Sequence, residues 1–269
     1  MRRRATNAGF ILHYRRLCFA GFCSSFGLYA GLSTAAPASH SRPLSVLVRQ
    51  SDDYYLGRQN AENVRKALVL LREAVSKNPE DYEAWWRISK FTCYVARQRA
   101  EPEELKLLEE AIEAGKKAVA LQPDRPEGHF WLGANYGLSA EERGFLKGLF
   151  LVDTIRREME AVVRLDPDYE QAAGLRTLAR VDYRAPFFKG GDKRRSIRLL
   201  EECLKRYSED SLAMLYLADS LLAVGRRDEA REQLEKILSL CPDPQYAPEL
   251  AENQEEARAR LARYFQSKK

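Results

Sequence analysis

The chain has 269 residues, 45% of them apolar and 31% charged, with a formal net charge of +5. That length holds one ordinary domain or one solenoid with a leader, and the composition excludes a disordered or membrane-spanning chain. The charge excludes a general phosphate-binding surface: Arg2, Arg3, Arg4, Arg15 and Arg16 face no acid within residues 1–38, and without them 39 basic residues balance 39 acidic ones, so no nucleic-acid partner is expected.

Residues 1–38 read as a signal or targeting segment. A basic start is followed by an apolar run from about Leu17 to Leu32 and then by Ala36-Pro37-Ala38, a small-x-small pattern that predicts cleavage after Ala38. The run is short and soft for a stable span. The mature chain is expected in the periplasm or secreted, with a mitochondrial presequence or a retained anchor as the alternatives, and any membrane contact is expected only through an uncleaved leader. Cys18 and Cys23 follow Leu17 and Phe22, where a lipid-attachment site needs a small residue. Residues 39–50 read as a linker and 51–265 as the folded domain, whose apolar pattern reaches back to about residue 44. Cys93, Cys203 and Cys241 give no disulfide framework, and Cys203 reads as a small buried hydrophobe.

The domain is periodic. In its first unit Tyr54-Tyr55 precede a helix carrying Ala67, Leu71 and Ala74, stopped at Pro79. The second opens on Trp85, Ile88 and Ser89 and closes on Ala111, Ala118 and Pro123. Leu132-Gly133-x-x-Tyr136 opens the third, which ends with Ile155, Met159, Val162 and Pro167. Leu178-Ala179 opens the fourth, which ends with Ser196, Leu200, Cys203 and Ser208. Met214-x-x-Leu217-Ala218-x-x-Leu221, the turn Gly225–Asp228, and Ala230-x-x-x-Leu234-x-x-Ile237 before Pro242 make the fifth. The spacing from Pro79 to Pro123 and from Pro123 to Pro167 is 44 residues, and from Ser208 to Pro242 it is 34. The surplus falls between the two helices of a unit, at one end of a stack, where it spares the packing interface. Glu249–Phe265, with Leu250, Ala257, Leu261 and Phe265 on one stripe, predicts a capping helix.

This pattern resembles the tetratricopeptide repeat, with Leu217-Ala218 in place of its Leu-Gly pair and Ala230 as its crossing alanine. The resemblance implies an all-α, right-handed superhelical solenoid of about five helix pairs with a C-terminal capping helix, and a concave groove lined by the first helix of each pair. Residues one turn apart on those helices share a face, which directs Trp86 and Lys90, then Phe130, then Arg176, Arg180 and Tyr183, then Leu215 and Asp219 towards the groove. Arg176 and Arg180, four residues apart, either grip a carboxylate of a ligand or peptide or pair with neighbouring acids. The partner is therefore expected to be a protein or a small carboxylate ligand.

Two features invite a catalytic reading. Pro186-Phe187-Phe188-Lys189-Gly190-Gly191-Asp192-Lys193 is either an anion-binding loop or a turn ending with Asp192 as a helix N-cap. His129 lies near a helix start with no acid and nucleophile at a catalytic spacing. No cluster has metal-ligand spacing, so no metal or cofactor is expected, and an enzyme acting through His129 or Gly190-Gly191 is the least favoured class. The stretch Gly133–Gly137, the long third insertion, Arg164–Tyr169 and Pro186–Lys193 together are similar to the TatT-type periplasmic repeat proteins associated with tripartite (TRAP) transporters. That similarity implies a groove for small organic acids, a solute-binding partner and a homo-oligomer.

Overall fold

The computed structural model describes residues 44–98, 102–241 and 247–265. Every regular element among the described residues is helical, and consecutive helices pack as antiparallel pairs. The first unit pairs α1 (Val46–Leu56) with α2 (Ala61–Lys77), and the second pairs α3 (Tyr82–Ala96) with α4 (Glu103–Leu121). The third pairs α5 (Pro126–Glu142) with α7 (Val152–Leu165), with the short α6 (Gly144–Gly148) between them. The fourth pairs α8 (Tyr169–Arg184) with α9 (Lys193–Arg206) through a 3-10 turn (Phe187–Lys189), and the fifth pairs α10 (Ser211–Ala223) with α11 (Arg227–Ser239). The last helix, α12 (Ala247–Phe265), packs on α11 and α10, and buries Leu250 and Ala257. These are the five units and the cap that the periodicity predicts.

The helix ends follow from local chemistry. Second helices stop two residues before proline, and the intervening Asn78, Gln122 and Asp166 adopt extended backbone, as the proline ring requires of its predecessor. Tyr207 adopts a similar conformation before Ser208, so the fourth unit stops there without proline. Asp81, Asp192 and Asp210 cap α3, α9 and α10 by accepting backbone N–H groups of their first turns.

Packing depends on small side chains at the crossings. Ala67, Ala111 and Ala230 are fully buried. At Gly133 of α5 a Cβ would stand 2.3 Å from the Met159 methyl and 3.1 Å from the Glu158 Cβ of α7, so even alanine would have to displace its neighbours. Ser89 of α3 donates to the Ala111 carbonyl of α4 at 2.8 Å, and Asn135 of α5 donates to the Ser89 Oγ at 3.0 Å. That chain ties three consecutive helices through one buried hydroxyl. Cys93 and Cys203 are buried free thiols, both pushed up to about 12, chiefly by burial.

Two boundaries differ from the sequence expectation. The stretch read as a linker, 39–50, already contains the start of α1: Ser45 caps it by accepting from the Val48 N–H, and Val48 is fully buried. The extra residues of the second unit are taken up largely by length, since α3 has 15 residues and α4 has 19. Good helix formers and the acids of the first turn at Glu103 and Glu104 favour elongation over a loop. Among the described residues the third unit forms an added α-helix there and the fourth a 3-10 turn. Pro242 and the leader lie outside the described residues.

His129 is buried, not partly exposed, and joins the two helices of the third unit. Its Nδ1 lies 2.7 Å from the Glu158 carboxylate and its Nε2 2.9 Å from the Pro123 carbonyl. Both partners accept, so the protonated ring donates to both at once and the neutral ring to only one. The Glu158 bond raises the His129 pKa. Burial alone would raise Glu158, but His129 and Arg157 outweigh it and hold that carboxylate low. The His129 contribution to stability is therefore complete below its unfolded pKa and is lost as pH rises through the higher folded value. The Glu158 contribution is lost as pH falls through the carboxylate range. The drop in melting temperature caused by His129→Gln should thus be largest at about pH 5–6.5 and shrink above neutrality, as thermal unfolding across pH would read.

Candidate functional site

The first helices of the pairs (α1, α3, α5, α8, α10) contact one another along the stack, and α12 packs on α10; the face they share is the one expected to be concave. Their polar side chains are joined across units. Arg87 of α3 donates to Asp52 of α1 at 2.8 Å and to Glu83 at 2.6 Å. Lys90 of α3 lies 3.7 Å from Glu170 of α8 and within 6.0 Å of the ring centres of Tyr55, Trp86 and Trp131. Arg176 of α8 pairs with Asp210, and Arg180 with Asp219 of α10 at 3.1 Å. Arg260 of α12 closes on the same Asp219 at 2.8 Å. Arg58, in the turn after α1, reaches Glu249 of α12 at 3.6 Å, so the curvature brings the first unit against the last helix.

This arrangement locates each residue expected in the groove. Trp86, Lys90, Arg176, Arg180, Leu215 and Asp219 are buried, and Tyr183 is half-buried beneath Arg180 at 5.2 Å. Phe130 does not line the groove surface. It sits fully inside the core against Trp131 and Tyr169, because α5 is enclosed between α3, α4, α7 and α8. The arginine pair does grip carboxylates, and these belong to the chain itself. Burial alone would raise the Asp219 carboxyl, but Arg260 and Arg180 outweigh it and keep it ionised below the usual range.

The backbone is strained where α8 enters this face. Glu170, Gln171 and Ala172 all have positive φ, at 48°, 58° and 58°. A left-handed conformation costs a non-glycine residue roughly 1–2 kcal/mol. The turn carries the Glu170 carboxylate to Lys90, and burial there pushes the Glu170 pKa up despite Lys90 and Arg176.

A cleft of about 180 Å³ opens between α5, α6, α8 and α10. Its walls are mainly apolar, with Phe145, Leu149, Val152 and Ile155 on one side and Thr177, Val181 and Tyr216 on the other. Arg180 and Arg184 stand in its lining. Arg184 continues the row of Arg176 and Arg180 by one more helical turn, is exposed, and forms no ion pair among the described residues. Sequence reasoning missed Arg184 and the α6 wall. The four-residue spacing signalled the first, and the surplus length of the third unit signalled the second.

The glycine loop is a braced turn. Gly190 has φ 74°, and a Cβ on Gly191 would fall 1.9 Å from the Ala185 carbonyl oxygen. The Gly190 and Gly191 N–H groups donate to the Phe187 and Pro186 carbonyls, while Arg156 and Arg195 donate to the Gly190 carbonyl. The N–H groups that an anion would need are thus committed within the loop. Asp192 caps α9, and Phe187 and Phe188 project into solvent. No group of three His, Cys, Asp or Glu side chains among the described residues is placed to hold a metal ion.

The family of regulator of microtubule dynamics proteins 1–3 matches residues 47–176, and the tetratricopeptide repeat matches residues 188–252. Residues 188–252 carry the tetratricopeptide repeat, and the fold of the chain is a helical solenoid of that type. Its fold is similar to that of the thermophilic repeat protein TTC0263 of Thermus thermophilus, at a TM-score of 0.58 and 21% identity over 79% of this chain and 97% of that one. It is also similar to the type IV pilus biogenesis factor PilW (TM-score 0.56, 16% identity, 82% and 95% covered) and to Pseudomonas aeruginosa PilF (0.53, 16%, 82% and 94%). No curated protein matches the chain.

The Asp219 junction tests how far the concave face is held by charge. Asp219→Ala removes the buried carboxylate that Arg180 and Arg260 share, while Arg260 keeps Glu256 at 2.6 Å, and should cost roughly 3–5 kcal/mol in urea unfolding. A loss under about 1 kcal/mol would mean that the network contributes little to the fold.

Proposed function

We propose that this repeat protein is an exported, non-catalytic scaffold that receives an acidic, partly apolar segment of a partner protein in its concave cleft. The carrying observation is the cleft itself: mainly apolar walls beside Arg184, the arginine of the row that forms no ion pair among the described residues. An apolar side chain in the cleft and a carboxylate on the guanidinium would satisfy both halves of the site. Both ring nitrogens of His129 are engaged, by the Glu158 carboxylate and the Pro123 carbonyl, which supports a structural role for the ring over acid–base chemistry. The same cleft supports a second reading, a transporter-associated accessory that holds a small organic acid, since its volume suits a ligand of a few carbons.

A photo-crosslinking residue in place of Thr177 or Val152 should capture the partner from the cleft, and Arg184→Ala should weaken capture at least several-fold. The same residue at Glu113, on the outer helix α4, should capture nothing. Equal yields from both faces would sink the groove reading. A rise in melting temperature with organic acids that vanishes in Arg184→Ala would instead select the small-ligand reading. The export reading rests on the leader: the intact mass of the protein from its native host should lack residues 1–38, and a full-length mass would exclude cleavage.

A further inference from the structure

The third and fourth units carry their insertions at the same edge of the stack, where the first helix of each pair hands over to the second. Five large apolar side chains stand in solvent there: Phe145 at 65% exposure, Leu146 at 74%, Phe150 at 81%, Phe187 at 86% and Phe188 at 65%. The other exposed large hydrophobics among the described residues are Val46, Tyr54, Leu56, Val69 and Val224, which belong to the first unit and the last. The rim side chains are held out by rigid backbone. Pro186 starts the 3-10 turn, Gly190 turns it, and Gly191 lies against the Ala185 carbonyl. Lys189 ties this turn to Asp153, just beyond the other insertion, at 2.8 Å. Gly148 of α6 packs on α5, where a Cβ would come within 2.7 Å of the Ala140 carbonyl oxygen. Apolar surface ordered against water in this way calls for a partner that removes it from water.

The charge around the tips says which partner. From Arg143 to Val152 the charged residues are Arg143 and Lys147, with no acid. From Arg184 to Arg195 there are five basic residues and one acid, Asp192, which is engaged in capping α9. Lys147, Arg184, Lys193 and Arg194 are exposed. Protruding phenylalanine and leucine side chains flanked by such cations match an interface that is apolar inside and anionic outside. The exposed residues come from two insertions, α6 with the turn after it and the 3-10 turn, and not from one helix face. We propose that this rim docks on the surface of an anionic lipid bilayer, with Phe145, Leu146, Phe150, Phe187 and Phe188 inserted among the upper acyl chains and the neighbouring lysines and arginines at the headgroup phosphates. Phe145 and Arg184 are shared with the cleft, whereas Phe150, Phe187 and Phe188 lie outside it.

The test must separate the rim from the leader, so it reads the depth of single side chains in the full chain. Tryptophan is introduced as Phe187→Trp, as Phe150→Trp and, for control, as Val69→Trp on α2, and the emission of the unmodified protein is subtracted. The probe is a phosphatidylcholine vesicle with about 30% phosphatidylserine and brominated acyl chains. The expected result is quenching at positions 187 and 150 at least several-fold stronger than at 69. It should be abolished in vesicles without phosphatidylserine, by salt at about 0.5 M, or by adding Lys147→Glu and Arg194→Glu. Vesicle-bound protein with unquenched tip tryptophans, or equal quenching at position 69, overturns the proposal. So does a blue shift of the tip tryptophans with rising protein concentration in the absence of lipid, which would assign the rim to a second copy of the chain.

Discussion

Everything in this protein depends on how closely two helices can approach. The crossings at Ala67, Ala111, Gly133 and Ala230 are filled by side chains of one carbon or none, and dispersion falls away within an ångström of a gap. Close approach fixes the angle within each pair, and repetition of that angle generates the curvature. The curvature then decides which polar residues meet, because three of the pairs on the concave face join residues 34 to 41 apart in the chain: Arg176 with Asp210, Arg180 with Asp219, Arg260 with Asp219. The ion pairs are a consequence of the packing before they are a support for it.

Those ion pairs also reshape what the concave face can recognise. A row of arginines one turn apart suggests a ready carboxylate grip, yet two of the three already hold carboxylates of the next unit. Beside them lies an apolar cleft with Arg184 at its side, bounded by the α6 insertion. Charged side chains buried in this way leave a costly unpaired charge when one partner is removed, which ties neighbouring units to one pairing. The strained left-handed turn at Glu170–Ala172 belongs to the same design, since it delivers a carboxylate to Lys90 in the middle of the aromatic cluster.

The glycine loop shows how one motif divides its labour. Its glycines and its N–H groups serve the turn, and its carbonyl is held by Arg156 and Arg195. That bracing leaves Phe187 and Phe188 fixed in water beside the α6 tip. The loop's chemistry is therefore in its side chains, where a reading of Gly-Gly alone would have sought it in the backbone.

Much of the fold was legible in the sequence because its causes are local. Prolines at 79, 123 and 167 force their predecessors into extended backbone, small residues recur where helices must cross, and aspartates at 81, 192 and 210 cap the helices that follow them. These are properties of a few adjacent residues, so periodicity alone determined five helix pairs and a terminal helix. The site was less legible. Phe130 lies in the core and His129 is buried against Glu158 because four other helices enclose α5. Arg176 and Arg180 are engaged, and Arg184 makes no described ion pair, because of where α10 falls relative to α8. Each of those outcomes is set by the accumulated angle between units, a quantity that no single stretch of sequence contains, and only the tertiary structure decided it.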